Sequence, residues 1–231
     1  MSSPDVFRGH RPDFSIEKTY LLQNFKYIAG VDEAGRGALA GPLSLGMVIY
    51  DPATFDSIPD DITREVADSK QLTHKKRAAA MDVVIKHALA YTRVFIPHGV
   101  IDSCGINVAT ELAVKKMLKK ISLKPDLVIM DGNFRFNPGV PFFPVIKGDC
   151  RSLSIASASI IAKVTRDNIM CRVESAFPGY GFAKHKGYGT RAHIEALDTL
   201  GLCAIHRRSY DPVRSMLETE GALFNENYRL R

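Results

Sequence analysis

Four acidic residues stand where short apolar runs give out: Asp32 and Glu33 after residues 27–31, Asp131 after residues 127–130, and Asp149 shortly after residues 142–146. Runs of this kind read as strands, and strand ends gather along one rim of a sheet, where ligands and reacting groups collect. Carboxylates crowded on such a rim repel one another, and a bound cation relieves them most directly. Ligation by oxygen alone selects hard ions such as Mg²⁺ or Mn²⁺. Any one of these acids is explained as well by capping a helix or pairing with a neighbouring Arg or Lys. The metal reading requires that all four converge.

Spacing adds a constraint, because neighbouring residues in a regular strand point to opposite faces. Asp32 and Glu33 can share a site only where their strand ends or bends, and Gly35, Gly37 and Gly41 supply residues that bend easily. These glycines do not form a dinucleotide-binding loop, since three residues rather than two separate Gly37 from Gly41 and acids just upstream would repel a pyrophosphate. Nor do they form a P-loop, which needs a Lys and a hydroxyl after its last glycine. What they can do is bring backbone N–H groups close to a phosphate or sugar, with Arg36 adding a fork-shaped cation. A tight hairpin turn would account for the glycines equally well but gives Arg36 no role.

Positioning these groups calls for a layered fold. Apolar runs at residues 27–31, 43–50, 91–96, 127–130 and 142–146 are expected strands, the first two adjacent and antiparallel. Helices are expected from a cap at Thr73 to about Ala90, over 107–121, over 151–177, and in two stretches at 190–200 and 211–220. The small residues Ser154 to Ser159 would let the long helix pack closely on the sheet. The order predicts a mixed sheet flanked by helices, an α/β fold with a helical C-terminal part. Residues 1–13 read as a flexible extension, 14–214 as the catalytic domain and 215–231 as a tail.

The whole chain of 231 residues has 31 basic and 25 acidic side chains, and the excess is uneven, +5 over residues 142–214 against +2 over residues 1–141. The basic third interleaves Lys184, His185, Lys186, Arg191, His193, His206, Arg207 and Arg208 with Tyr180, Phe182, Tyr188 and Tyr210. Cations with aromatic rings suit a polyanion such as nucleic acid. No apolar stretch approaches the roughly 18 to 20 residues of a membrane span, and the first 26 residues lack a signal-peptide core. Cys104, Cys150, Cys171 and Cys203 are scattered without metal-ligand spacing, so free thiols in a reducing cytoplasm are expected.

Taken in order, residues 27–37, Asp68-Ser69-Lys70, Asp131-Gly132-Asn133, Lys147-Gly148-Asp149, the run from Ser154 to Asp167, and His185-Lys186-Gly187-Tyr188 closely resemble bacterial ribonuclease HII, from about residue 27 to residue 214. The resemblance implies a ribonuclease H-like fold. It also implies an endonuclease that cleaves the RNA of RNA/DNA hybrids and nicks 5′ of single ribonucleotides in duplex DNA, leaving 3′-hydroxyl and 5′-phosphate ends. Asp32, Glu33, Asp131 and Asp149 would hold two Mg²⁺ or Mn²⁺ ions. Gly35, Arg36 and Gly37 would contact the backbone and 2′-OH of the ribonucleotide, Tyr188 would lie against its sugar, and Lys70, His185 and Lys186 would add substrate contacts. A cytoplasmic monomer with no membrane partner, acting in replication and ribonucleotide excision repair, is the matching expectation.

Two positions depart from the family pattern. Gln71 stands in place of a second Lys, which removes a phosphate contact, and Gly189 follows Tyr188 in place of Pro, which loosens the loop. The sibling ribonuclease HIII has an extra N-terminal domain and a Gly-Lys-Gly turn, whereas this turn holds Arg36. Two other functions were open to the residues alone, a strand-transfer or structure-specific nuclease and a nucleic-acid-binding module. An acidic cluster in a binding module would oppose the phosphate it binds.

Overall fold

The structure is a computed structural model and describes residues 11–68 and 74–219. Lys70, Gln71 and the cap expected at Thr73 lie outside the described residues, as do most of the N-terminal extension and the end of the tail.

Five strands form one sheet in the order β3-β2-β1-β4-β5: β1 (Ile28–Ala34), β2 (Leu43–Ile49), β3 (Ala90–Ile96), β4 (Leu127–Asp131) and β5 (Phe142–Val145). β1 pairs antiparallel with β2 and parallel with β4, which pairs parallel with β5. The sheet is therefore mixed, as expected. Every residue of β2 is buried, and β1 is buried from Ile28 to Asp32. Strands covered on both faces need continuous apolar runs, and these two have them. β3 alternates buried and exposed residues over most of its length, and β5 is largely exposed.

One boundary differs from expectation in a way that touches the site. β1 does not stop at Val31 but runs on through Asp32 and Glu33 to Ala34, with Asp32 opposite Gly46 and Glu33 opposite Leu45 on β2. Pairing with β2 continues where apolarity ends, because backbone hydrogen bonds hold a strand whatever its side chains. A second difference lies in the helix expected over 107–121. It starts earlier, as α4 (His98–Lys120, counting α1 as Ser15–Leu21, α2 as Asp60–Asp68 and α3 as His74–His87), and is broken at Gly105, whose φ of 78° and ψ of 160° are not helical.

By internal packing the chain divides into two compact units. The first comprises the chain up to Ala34, Ser44–Val94 and Glu111–Thr165; the second comprises Gly35–Leu43, Phe95–Thr110 and the chain from Arg166 onward. In the first, the long helix α5 (Leu153–Ala176) lies tightly on the sheet through its N-terminal half. A Cβ on Gly30 would fall 2.2 Å from the Ser154 carbonyl carbon, and one on Gly46 would fall 2.3 Å from the Ala158 carbonyl oxygen. Glycines on the strands and small residues on the helix thus meet backbone to backbone, as the run from Ser154 to Ser159 led us to expect. One core on this unit joins Phe14, Val48, Tyr50, Ile62, Val84, Ile161 and Val164; a second joins Ile28, Leu127, Ile129, Val145 and Ile155.

The second unit has its own core of Leu39, Ala40, Met170, Tyr180, Phe182, Leu197 and Val213. It contains the short α6 (Phe182–His185) and α7 (Arg191–Leu200), whose Thr190 cap accepts from the His193 N–H at 3.3 Å. Residues 213–219 are helical as well.

Candidate active site

In the first unit, Asp32 is 7% exposed on β1, and its Oδ1 accepts from the Glu33 N–H at 2.7 Å. Burial pushes its carboxyl well above the usual carboxylate range; a hydrogen bond from Ser159 on α5 opposes this, and the charges of Glu33 and Asp131 add to it. The close approach of α5 is what brings the Ser159 hydroxyl to this carboxylate. Asp131 is the last residue of β4, and its Oδ1 accepts from the Gly148 N–H at 2.6 Å. Gly148 is buried, and a Cβ there would meet Ile155 Cδ1 at 2.7 Å, so a larger residue would have to displace the end of that side chain. That bond ties the end of β4 to the turn bearing Asp149, which is half-buried in a single 3₁₀ turn, Gly148–Cys150, entered through Lys147 at a left-handed φ of 54°.

Asp32, Glu33 and Asp131 therefore share one electrostatic neighbourhood, while Asp149 sits on the turn anchored to Asp131. Among the described residues, no three His, Cys, Asp or Glu side chains close into a ready cage for a metal ion. The donor chemistry nonetheless fits a hard divalent cation: all oxygen, all acidic, one member buried and destabilised by the charges of two others. The sequence did not single out Ser159 as part of this group, although its place in the small-residue run was visible.

In the second unit, the turn after β1 is held from beneath by two guanidiniums with no exposed surface, Arg166 and Arg207. Arg166 donates to the carbonyls of Pro42 (Nε, 2.9 Å), Ala40 (Nη2, 3.0 Å) and Lys186 (Nη1, 2.7 Å). Arg207 donates to those of Gly41 (Nε, 3.1 Å) and Arg36 (Nη1, 2.8 Å). Burial lowers both pKa values, Arg166 to about 10, which leaves Arg166 charged at neutral pH. The Arg36 carbonyl also accepts from the Tyr210 hydroxyl at 2.9 Å, and the Arg36 side chain reaches Asn107 and the Thr110 hydroxyl on α4. Gly37 is exposed, with open space where a Cβ would stand.

Tyr188 meets this turn directly. Its hydroxyl accepts from the Gly35 N–H at 3.1 Å, and the Arg166 guanidinium lies over its ring, 5.2 Å from the centroid. Tyr188 also forms a bridge with Ala38, and Gly187 O accepts from the Leu39 and Ala40 N–H groups. Both ring nitrogens of His185 are engaged inside the loop, with the Tyr180 carbonyl at 2.7 Å and the Gly187 N–H at 3.2 Å. Lys186 Nζ is drawn to the Ala183 carbonyl and to Cys171 Sγ.

One expectation needs correcting. The basic third is expected to meet a polyanion, but three of its cations, His193, His206 and Arg207, are buried. Composition registers a cation but not its environment, and these serve carbonyls and one another rather than solvent.

A mixed sheet with acids at the ends of its central strands and a long helix across it defines the ribonuclease H-like class of nucleases. The family model for ribonuclease HII matches residues 29–213. Similar proteins include the ribonucleases HII of Caldicellulosiruptor bescii (44% identical over 197 residues, 85% of this chain and 92% of the relative), Listeria monocytogenes (46% over 199, 86% and 73%) and Mycobacterium ulcerans (45% over 202, 87% and 82%). Among solved structures, the ribonuclease H2 of Pyrococcus horikoshii aligns with a TM-score of 0.69 at 24% identity, covering 84% of this chain and 98% of its own. The ribonuclease HII of Archaeoglobus fulgidus, solved in complex with PCNA, aligns at 0.66 and 23%, covering 80% and 95%. The chain belongs to the ribonuclease HII family. It is an endoribonuclease, a hydrolase of phosphodiester bonds that acts on RNA paired with DNA. No helix among the described residues is long and apolar enough to cross a membrane.

Proposed function

We propose that this chain is a divalent-metal-dependent ribonuclease H that cleaves the RNA strand of hybrids and also nicks 5′ of a single ribonucleotide in duplex DNA, leaving 3′-hydroxyl and 5′-phosphate ends. The observation that carries the reading is Asp32, a carboxylate buried beside Ser159 in the field of Glu33 and Asp131. Such a group is held at a cost unless a cation joins it. Asp32, Glu33, Asp131 and Asp149 would hold two Mg²⁺ or Mn²⁺ ions. When bound, the ions would supply an acidified attacking water and positive charge against the departing 3′-oxygen.

The remaining residues bind and orient. Gly35, Arg36 and Gly37 present main chain and a guanidinium to the backbone and 2′-OH, the group by which a protein tells RNA from DNA. Tyr188, held by Gly35 and Arg166, lies against the sugar; His185 and Lys186 brace its loop, and Lys70 takes a phosphate. The enzyme acts as a cytoplasmic monomer in replication and ribonucleotide excision repair.

The test compares two duplexes of one sequence, one carrying a single ribonucleotide and one all DNA, with Mg²⁺ or Mn²⁺ present. Nicking of the first alone is expected, abolished by Asp131→Asn in a folded variant. Equal cutting of both, or full activity in Asp131→Asn, would overturn the reading.

A further inference from the structure

The loop bearing Tyr188 leads into two buried histidines that the reaction does not use. His193 and His206 are 0% and 2% exposed, and their Nε2 atoms lie 3.1 Å apart. Two imidazole nitrogens at that distance need one proton between them, so one ring donates and the other accepts. The outer nitrogens decide which. His206 Nδ1 lies 2.9 Å from the Cys203 N–H, which can only donate, so this nitrogen accepts and the His206 proton sits on Nε2. His193 Nε2 must then accept, which leaves the His193 proton on Nδ1, 3.0 Å from the Tyr188 carbonyl. The Cys203 carbonyl is also 3.2 Å from His206 Nδ1. Donating to it would reverse both rings and set a bare His193 nitrogen against the Tyr188 oxygen. One tautomer set satisfies both histidines, and the Cys203 carbonyl it leaves unserved by Nδ1 accepts from the His206 backbone N–H at 3.1 Å.

We propose that His206 and His193 form a fixed relay of neutral imidazoles that positions Tyr188 through its carbonyl and so sharpens discrimination for a single ribose. The inference rests on the functional reading above, in which Tyr188 meets the sugar. Three things support it. Gly189 follows Tyr188 in place of a ring-restrained residue, so the Tyr188 carbonyl, which also accepts from the Thr190 N–H at 2.8 Å, takes a second fixed bond from His193. The Tyr188 hydroxyl is held at the other end by the Gly35 N–H, so the residue is pinned at both main chain and side chain. The His193 ring is further locked by stacking on His185, with centroids 4.4 Å apart and planes 16° apart. Burial keeps both rings below the ordinary histidine pKa, His193 at about 4, so neither carries a second proton at neutral pH. His193 and His206 are positioning residues; neither touches the reacting atoms.

Two substitutions separate this role from simple packing. In His193→Asn the amide nitrogen takes the place of Nδ1 and keeps the bond to Tyr188. In His193→Gln the amide falls at the Nε2 position and loses it. Activity is read on a duplex with one ribonucleotide and on a continuous RNA/DNA hybrid, where many riboses are offered. We expect His193→Gln to lose about tenfold on the single-ribonucleotide duplex and less than about twofold on the hybrid, with His193→Asn near wild type on both. Equal losses on both substrates, or the same behaviour in both variants, would overturn the relay. Should either variant fail to fold, nitrogen-resolved NMR of the wild type at pH 7 still decides: His193 protonated on Nδ1 and His206 on Nε2 support it, and the reverse overturns it. Wild-type protein that cuts neither substrate, with these tautomers in place, would instead sink the functional reading on which the inference rests.

Discussion

Gly35 and Arg166 are fitted to each other: a β-carbon on Gly35 would lie 1.8 Å from Arg166 Nε, and Gly35 has a left-handed φ of 90°. The glycine is there because a buried cation occupies the space a side chain would need, and that cation holds three carbonyls and faces the Tyr188 ring. Gly35→Ala should therefore cost about 2 kcal/mol or more of stability and most of the activity. Gly37→Ala, with open space and no left-handed torsion, should stay within about 0.5 kcal/mol of wild type. Thermal denaturation of the pair checks this; equal destabilisation would contradict the fit.

Asp32→Asn should raise thermal stability in EDTA while abolishing cleavage. Asn keeps an oxygen for the Glu33 N–H and removes a charge that burial, Glu33 and Asp131 all disfavour. The pH dependence follows from the raised folded-state pKa. The protonated form is preferred in the folded chain, so this group's contribution is full below about pH 4 and is lost as pH rises through the folded value. Added Mg²⁺ should stabilise wild type and not the variant. A variant less stable than wild type in EDTA would show that the charge is not a burden.

The histidine pair gives the opposite slope. His193 is brought down to about 4, by burial first and then by the neighbouring charges of His185 and His206; His206 is lowered by burial and by His98 and His185. Unfolded histidines take up protons near pH 6.5, so this contribution is complete above that value and is lost as pH falls towards 4, up to about 3 kcal/mol for His193. Glu17, whose pKa burial raises, works the other way at the low end. Denaturant titrations from pH 7.5 to 4.5 should show the loss, and His193→Asn should flatten it. An unchanged slope in the variant would exclude His193 as its source.

Close approach of α5 makes a fourth prediction. Gly46→Ala would place a methyl 2.3 Å from the Ala158 carbonyl oxygen and should cost about 1 to 3 kcal/mol by forcing helix and sheet apart. Because the same approach brings Ser159 to Asp32, cleavage should fall further than stability alone explains. Full activity in a destabilised Gly46→Ala would break that link.

Much of this arrangement was legible in the residues. The apolar runs located every strand, the small residues of α5 announced its tight packing, and Asp131 and Asp149 stand where strand ends placed them. Asp32 and Glu33 were legible as chemistry but not as strand, because pairing with β2 is a tertiary fact. The same limit hid Arg166, His193, His206 and Arg207. Local sequence registers a basic residue, whereas its burial against carbonyls depends on segments up to 171 positions away, as with Arg207 and Arg36.

Mapping the products of a duplex with one ribonucleotide tests the central claim most directly, because the ends record which oxygen attacked. With Mg²⁺ or Mn²⁺ the account predicts a single cut 5′ of the ribonucleotide, a 3′-hydroxyl and a 5′-phosphate, and no cutting in EDTA. Cutting that persists in EDTA, or a 2′,3′-cyclic phosphate showing that the ribose's own 2′-oxygen was the nucleophile, would contradict it.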